Sequence, residues 1–354
     1  MSKSIICLLC GGQSTEHEVS LMSARNVVAA IPRDKYELLI VGIDKTGAWH
    51  LYENGQFTVN SDDPVNIALA PGGTVVSPVR FNDHSALAIL DGKRSPLPFD
   101  LLFPVMHGRN GEDGAVQGLA QLLGCPCVGC GMTASAICMD KACAKQILEY
   151  EGICTARWIL VTRGEEPLTA ETAIAKLGLP LFVKPANAGS SVGVVKVREA
   201  SEFDAAIAEA MKYDNRVLVE ECIVGREIEC AVMGNHKLFC AVPGEVVPKV
   251  DFYSYDAKYT LDDGAELRAP AELSADEIAR VHAIASKAYK ALGCRGMSRV
   301  DFFLKKDGTF ILNEINTIPG FTKISMFPRL MGLSGIDYPT LVDRLIQLSL
   351  EEDC

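Results

Sequence analysis

Gly296-Met297-Ser298-Arg299-Val300-Asp301-Phe302-Phe303-Leu304-Lys305-Lys306-Asp307-Gly308-Thr309-Phe310-Ile311-Leu312-Asn313-Glu314-Ile315-Asn316-Thr317-Ile318-Pro319-Gly320 is the stretch from which the fold is read. Residues 299–304 and 309–316 are rich in β-branched and aromatic side chains, and Asp-Gly between them is a strong two-residue hairpin signal. With Asp307 and Gly308 as the turn, Asp301 faces Glu314, Arg299 faces Asn316 and Phe303 faces Leu312. Side chains alternate faces along a strand, so all six share one face. Two opposed carboxylates repel unless a cation lies between them. A hard divalent ion such as Mg²⁺ takes oxygen ligands and keeps phosphates among them, so Asp301, Glu314 and Asn316 read as a metal site that holds a nucleotide. The alternative is a solvated charge cluster. The apolar Val300, Phe302, Ile311 and Ile315 interleaved with these polar residues favour the functional reading.

Outward from the hairpin, short apolar runs alternate with helical stretches, which predicts α/β and α+β architecture. Residues 5–10, 36–43 and 99–106 read as strands of an open parallel sheet, whose carboxyl ends favour ligands. Residues 115–123 and 133–150 read as helices. Residues 158–161, 181–184, 194–197 and 216–220 read as strands of a second region. A third region begins with paired strands at 227–233 and 238–242. Ser274 with Glu277 marks a capping box at the start of a long amphipathic helix.

A chain of 354 residues has room for two or three domains. The formal charge of −11 argues against nucleic acid as a general partner, because phosphate backbones select basic faces. No apolar run is long enough to span a bilayer, and no export signal is read, so no membrane partner is expected. The 13 cysteines, an odd number, read as reduced thiols. Cys125, Cys127 and Cys130 lack a fourth ligand for zinc and read as small buried residues.

Several strand ends carry further candidates. Lys184-Pro185 precedes Asn187-Ala188-Gly189-Ser190-Ser191-Val192-Gly193, a Gly/Ser loop whose backbone N–H groups suit an anion, with a plain turn as the alternative. Lys141, inside the helix expected at 133–150, is a second cation for phosphates. Glu220 and Glu227 at a strand end suit an adenine amine and ribose hydroxyls, although surface acids would look the same. His107, opening His107-Gly108-Arg109-Asn110-Gly111-Glu112-Asp113-Gly114, sits where substrate is expected, and Glu16 is placed to hold an ammonium group. A nicotinamide enzyme is disfavoured because Gly11-Gly12 lacks the Gly-x-Gly-x-x-Gly spacing.

Gly11-Gly12-Gln13-Ser14-Thr15-Glu16-His17-Glu18-Val19-Ser20, residues 107–114, 184–193, 252–259 and 299–320, taken in order, resemble the D-alanine–D-alanine ligase family over essentially the whole chain. The likeness is strongest to its A type, in Glu227-Ile228-Glu229-Cys230-Ala231-Val232 and Ile318-Pro319-Gly320-Phe321. The resemblance implies an ATP-grasp fold: a substrate domain at 1–129, a central subdomain at 130–220, and a C-terminal subdomain at 221–354 with a lid at 252–260. It implies ATP and two Mg²⁺ ions (Mn²⁺ able to substitute) at Asp301, Glu314 and Asn316. ATP would be held by Lys141, Lys184, Ser190, Ser191, Glu220, Ile223, Glu227 and Lys258, with Phe303 and Leu312 near the adenine. Glu16 would take the first D-alanine's ammonium, and His107 would line its site. Arg299 and the Gly320 backbone would hold its carboxylate, and Ser325 the second D-alanine's carboxylate. Ser190 and Tyr259 would link the lid to Glu16. Ala188 stands where relatives carry a longer polar side chain, which puts one lid contact in question. The implied activity joins two D-alanines through an acyl phosphate for peptidoglycan precursors, in a cytoplasmic homodimer. Rival readings are an ATP-grasp ligase with another acceptor, and a nucleotide-binding protein without chemistry.

Overall fold

A computed structural model describes residues 3–53, 55–249, 265–322 and 324–351. The first sheet has seven strands. Tyr36–Ile43, Ser4–Gly11 and Leu101–Val105 are neighbours and run parallel. The other four, Trp49–Leu51, Thr74–Phe81, His84–Ile89 and Leu97–Phe99, extend it as antiparallel hairpins. The three strands read from the sequence as an open parallel sheet are thus parallel, and four further antiparallel strands extend them into a mixed sheet. Asn82-Asp83 is the local reason: both residues adopt positive φ (47° and 64°) between the paired Phe81 and His84, a backbone that folds a two-residue hairpin. The strand expected at 99–106 is also interrupted, at Asp100, whose carboxylate accepts the Ile5 N–H at 2.7 Å.

The single helix expected at 133–150 is two helices, Met132–Met139 and Lys141–Tyr150. Asp140 breaks it. Its backbone is extended, and its side chain accepts from the N–H groups of Ala142 and Cys143, capping the second helix. Lys141 consequently stands at a helix start and not within a helix.

The second sheet is antiparallel, in the order Trp158–Thr162, Arg216–Glu221, Leu181–Pro185, Val195–Val197. Its own apolar core runs from Val161 to Val219. The third is ordered Ala265–Arg268, Gly244–Pro248, Arg226–Met233, Met297–Leu304, Phe310–Asn316. The helix Ala275–Ala291 packs behind it and begins with the expected Ser274/Glu277 capping box. Cys138 and Leu148, from the two helices around Asp140, pack with Val300, Phe302 and Leu312 of the third sheet. Leu8 and Phe103 of the first sheet share one core with Ile318, Phe327 and Leu345. The first and third sheets are therefore joined through one core, and the helices around Asp140 pack against the third.

Within the hairpin, Arg299 pairs with Asn316 and Asp301 with Glu314, as the alternation predicts. Phe303 pairs with Ile311, not Leu312. The turn holds three residues, because Gly308 at φ +81° closes it in the left-handed region and Lys305 pairs with Thr309. A register shift between Asp301 and Phe302, with Asn313 as the extra residue, restores the expected pairing at the acids. Leu312, paired with Phe302, is fully buried in the core behind the sheet, so its expected place beside adenine is withdrawn.

Candidate active site

Arg299, Asp301, Glu314 and Asn316 stand on one face of the hairpin. Arg299 donates to both oxygens of Asp301, at 2.8 and 2.6 Å, and the Asn316 amide donates to Asp301 at 3.1 Å. Glu229, opposite Asp301 on the next strand, lies 3.2 Å from the same guanidinium. Arg299 thus separates carboxylates that would otherwise repel. The set fits Mg²⁺ by its chemistry, with two carboxylates and one amide oxygen on adjacent strands. Among the described residues no three His, Cys, Asp or Glu side chains form a self-sufficient metal cage. Such a set reaches octahedral coordination only with phosphate and water oxygens, which is the ordinary habit of Mg²⁺.

A cavity opens over this face, lined by Arg299, Glu314 and Asn316 from the hairpin and by Glu16, Lys141 and Ser190 from elsewhere in the chain. Glu16 ends the loop after the first strand, directly before the helix His17–Ala30. The Ser190 hydroxyl donates to it. Lys141 donates to the Ala188 carbonyl at 2.6 Å, so the Gly/Ser loop is held through backbone at the position where a longer side chain was expected. Burial pushes the Lys141 ammonium below its usual range. Ser190 and Ser191 both have positive φ (50° and 60°), a backbone that suits a tight loop around an anion.

Lys184 does not stand alone. Its ammonium and that of Lys145 both pair with the buried Glu220. Burial alone would raise the Glu220 carboxyl, but Lys184 and Lys145 outweigh it and hold the group below its usual range. Ile223 follows the same strand. Glu227 pairs with Phe303 across neighbouring strands, so those two share a face.

His107 is buried at the end of the Leu101–Val105 strand and lines the cavity. Its Nδ1 lies 3.2 Å from the Ile318 carbonyl, which only accepts, so Nδ1 carries the proton. Its Nε2 lies 3.1 Å from the Ser23 hydroxyl, which in turn accepts the Phe321 N–H at 3.3 Å. His107 therefore struts the first helix against residues 318–321. Gly320 lines the cavity, and a side-chain carbon there would come within 2.8 Å of Ser325 Oγ. Ser325 is meanwhile bonded to Thr322. Lys258 and Tyr259 lie outside the described residues.

Three acids and bases of the site escaped the sequence reading: Lys145, Glu229 and Glu112. Period-two spacing from Glu227 marks Glu229, and spacing of one helical turn from Lys141 marks Lys145. The described cysteines are all free. Cys130 Sγ lies within hydrogen-bonding distance of the carbonyls of Arg295 and Met297.

The domain description "D-ala D-ala ligase N-terminus" matches residues 5–130, and "D-ala D-ala ligase C-terminus" matches residues 147–347. The chain is 45% identical over 353 residues to D-alanine--D-alanine ligase A of Chromobacterium violaceum, covering 99% of this chain and 96% of that one. It is 45% identical over 354 residues to D-alanine--D-alanine ligase A of Escherichia coli K12, covering 99% and 97%. Among solved structures it is similar to the D-alanine-D-alanine ligase from Coxiella burnetii, with a TM-score of 0.86 and 35% identity over 99% of this chain and 94% of that one. It is equally similar to the VanG D-Ala:D-Ser ligase from Enterococcus faecalis, with a TM-score of 0.86 and 36% identity over 98% and 100%.

Proposed function

The chain belongs to the D-alanine–D-alanine ligase family, and we propose that its cavity joins two D-alanine molecules with cleavage of ATP to ADP and phosphate. The observation that carries this is the shared face of Arg299, Asp301, Glu314 and Asn316 beneath a cavity that Glu16 and Lys141 also line. One end of that arrangement suits a nucleotide's terminal phosphates and the other an amino acid.

In the first step a carboxylate oxygen of the first D-alanine attacks the terminal phosphorus of ATP. The bond to the bridging oxygen breaks, giving an acyl phosphate and ADP. Phosphoryl transfer needs positioning and charge neutralisation more than covalent help. Lys141 and Lys184 supply positive charge to the phosphates, with Ser190, Ser191 and Lys258 completing that end. Glu220, Ile223, Glu227 and Phe303 form the adenine and ribose end. Two Mg²⁺ ions, or Mn²⁺ in their place, would be held by Asp301, Glu314 and Asn316, and when bound would neutralise phosphate oxygens. Glu16 holds the first amino acid's ammonium beside His107, while Arg299 and the Gly320 N–H hold its carboxyl group.

In the second step the amine of the second D-alanine, steadied through its carboxylate by Ser325, attacks the acyl carbon. Arg299 meets the oxyanion, phosphate leaves, and the amine's proton is lost. Tyr259 joins the Ser190–Glu16 link when the lid covers the site and excludes water. We read residues 1–129 as the substrate part, and 130–220 and 221–354 as the two halves that hold ATP. Family likeness extends the reading to peptidoglycan precursor synthesis by a cytoplasmic homodimer. No described helix is long and apolar enough to cross a membrane.

The test is phosphate release and product analysis over a panel of D- and L-amino acids and D-lactate. D-alanine-dependent release with D-alanyl-D-alanine as product is expected. ATP cleavage indifferent to D-alanine would overturn the reading, and dominant D-serine or D-lactate incorporation would change the acceptor. Chelation of divalent ions should abolish release and added Mg²⁺ or Mn²⁺ restore it. Asp301→Asn should raise the Mg²⁺ concentration required.

A further inference from the structure

Glu112 is a cavity-lining carboxyl that the reaction described above leaves without a task. It lies in the loop before the helix Ala115–Leu123, and its Oε2 accepts the Gly108 N–H at 2.7 Å. No other hydrogen bond from the described residues reaches this carboxyl. On the other side of Gly108 stands Glu16: a side-chain carbon at Gly108 would come within 2.7 Å of Glu16 Oε2. The two carboxyl groups thus approach the same glycine, one along its N–H and one against its α-carbon. Gly108, at φ +70°, carries no side chain, and so lets Ser14 Oγ and Glu16 Oε2 approach its α-carbon.

A pair of acids at such range carries a standing electrostatic cost unless a cation joins them. The charged groups that face Glu112 are Glu16, Glu314, Arg299 and Lys141, the last of which donates to the Ala188 carbonyl. Arg299 is already held by Asp301 and Glu229. Burial, and then Glu16, push the Glu112 carboxyl well above its usual range, a direction that a cation placed between the two acids would oppose. An α-ammonium has three N–H donors, as a lysine ammonium does, and one carboxylate seldom satisfies all three.

We infer that Glu112 is the second jaw of an ammonium clamp, holding the α-ammonium of the first amino acid jointly with Glu16. The inference rests on the ligase reading above and deepens it by assigning a further substrate-binding residue. The clamp requires a donor with a free α-amino group. It fixes the first amino acid at its nitrogen while Arg299 fixes it at its carboxyl, so that rotation about its backbone is blocked.

Glu112→Gln is the informative variant, because its amide oxygen still accepts the Gly108 N–H while the charge is gone. Initial-rate kinetics at saturating ATP separate the KM values of the first and second D-alanine. Hydroxylamine trapping of the acyl phosphate reads the donor half alone. The expected result is a first KM raised about tenfold to a hundredfold, the scale of one lost charge-assisted hydrogen bond. The second KM and the ATP KM should stay within about twofold, as both lie outside the clamp. Glu112→Asp keeps the charge but retracts it, and should raise the first KM by a smaller factor. A first KM unchanged in either variant, or a rise confined to the second KM, overturns the clamp. Failure of the unmodified chain to make any dipeptide would instead overturn the ligase reading, which keeps the two outcomes distinct.

Discussion

The Ser190 hydroxyl donates to Oε1 of Glu16, joining two residues 174 positions apart. Ser190 belongs to the Gly/Ser loop after the strand Leu181–Pro185, and Glu16 to the start of the first helix. One hydrogen bond therefore connects the loop read as phosphate-binding to the side chain read as ammonium-binding. On the proposed reading, closure over the nucleotide and orientation of the amino acid would be coupled through it.

Ser190→Ala tests that coupling. A hydrogen bond to a charged acceptor is worth about 1.5–3 kcal/mol, so kcat/KM for the first D-alanine should fall roughly tenfold to a hundredfold. The thermal midpoint should barely move, because the serine is only partly buried. A variant with the parent's kcat/KM would show that the bond has no part in catalysis.

Lys145→Met addresses the buried Lys145–Glu220–Lys184 group. Removing one cation leaves Glu220 with only Lys184, and breaking a buried pair typically costs about 3–5 kcal/mol. Denaturant unfolding should show a loss near the lower end of that range, since one partner remains. The KM for ATP should rise as well, because Lys184 is drawn further onto Glu220 and away from phosphate. A stability loss with an unaltered ATP KM would confine Lys145 to a structural role.

The acids of the hairpin were legible because alternation with period two survives any even error in the loop. Their neighbours near the turn were not. Asp-Gly announced a two-residue turn, but Gly308 closes a three-residue one, and the extra residue Asn313 then cancels the offset before Glu314 is reached. Propensity carries no sign of such a pair of compensating shifts. Lys145, Glu229 and Glu112 were missed for a different reason. A charge is recognised as buried only when its partner is known, and Glu220, Arg299 and Glu16, the neighbours of Lys145, Glu229 and Glu112, come from other elements in space. The break at Asp140 was readable in principle, since Asp followed by Lys-Ala-Cys-Ala is an acceptable helix start, but the apolar period runs through it without interruption.

His107 gives a pH prediction. Burial lowers its basicity below the usual histidine value, with Glu16 and the Ile318 carbonyl only partly offsetting this. The unfolded chain, with a histidine pKa near about 6.5, therefore takes up the proton first. The stability that neutral His107 contributes is complete above that value and is lost as the pH falls through the lower folded value. Between about pH 7 and about pH 5.5 the parent should lose more stability than His107→Gln, in which this titration is absent. Identical slopes in the two proteins would remove His107 from the account.

Glu229 matters because Arg299 has two holders of unequal permanence. In the structure Asp301 grips the guanidinium through two hydrogen bonds, and Glu229 stands 3.2 Å away. If Asp301 turns to a divalent ion when ATP binds, its hold on Arg299 weakens and Glu229 becomes the main anchor. Glu229→Gln should then leave ATP binding nearly intact and lower kcat, by up to about a hundredfold, the scale of a misplaced catalytic group. Arg299→Lys should lower kcat on its own, because a single ammonium cannot span the donor carboxyl and an anchor together. Two residues acting through one guanidinium must be non-additive, so the double variant should be little worse than Arg299→Lys alone. Measured kcat values that multiply across the cycle would mean that Glu229 does not act through Arg299, and the proposed handover between Asp301 and Glu229 would fail.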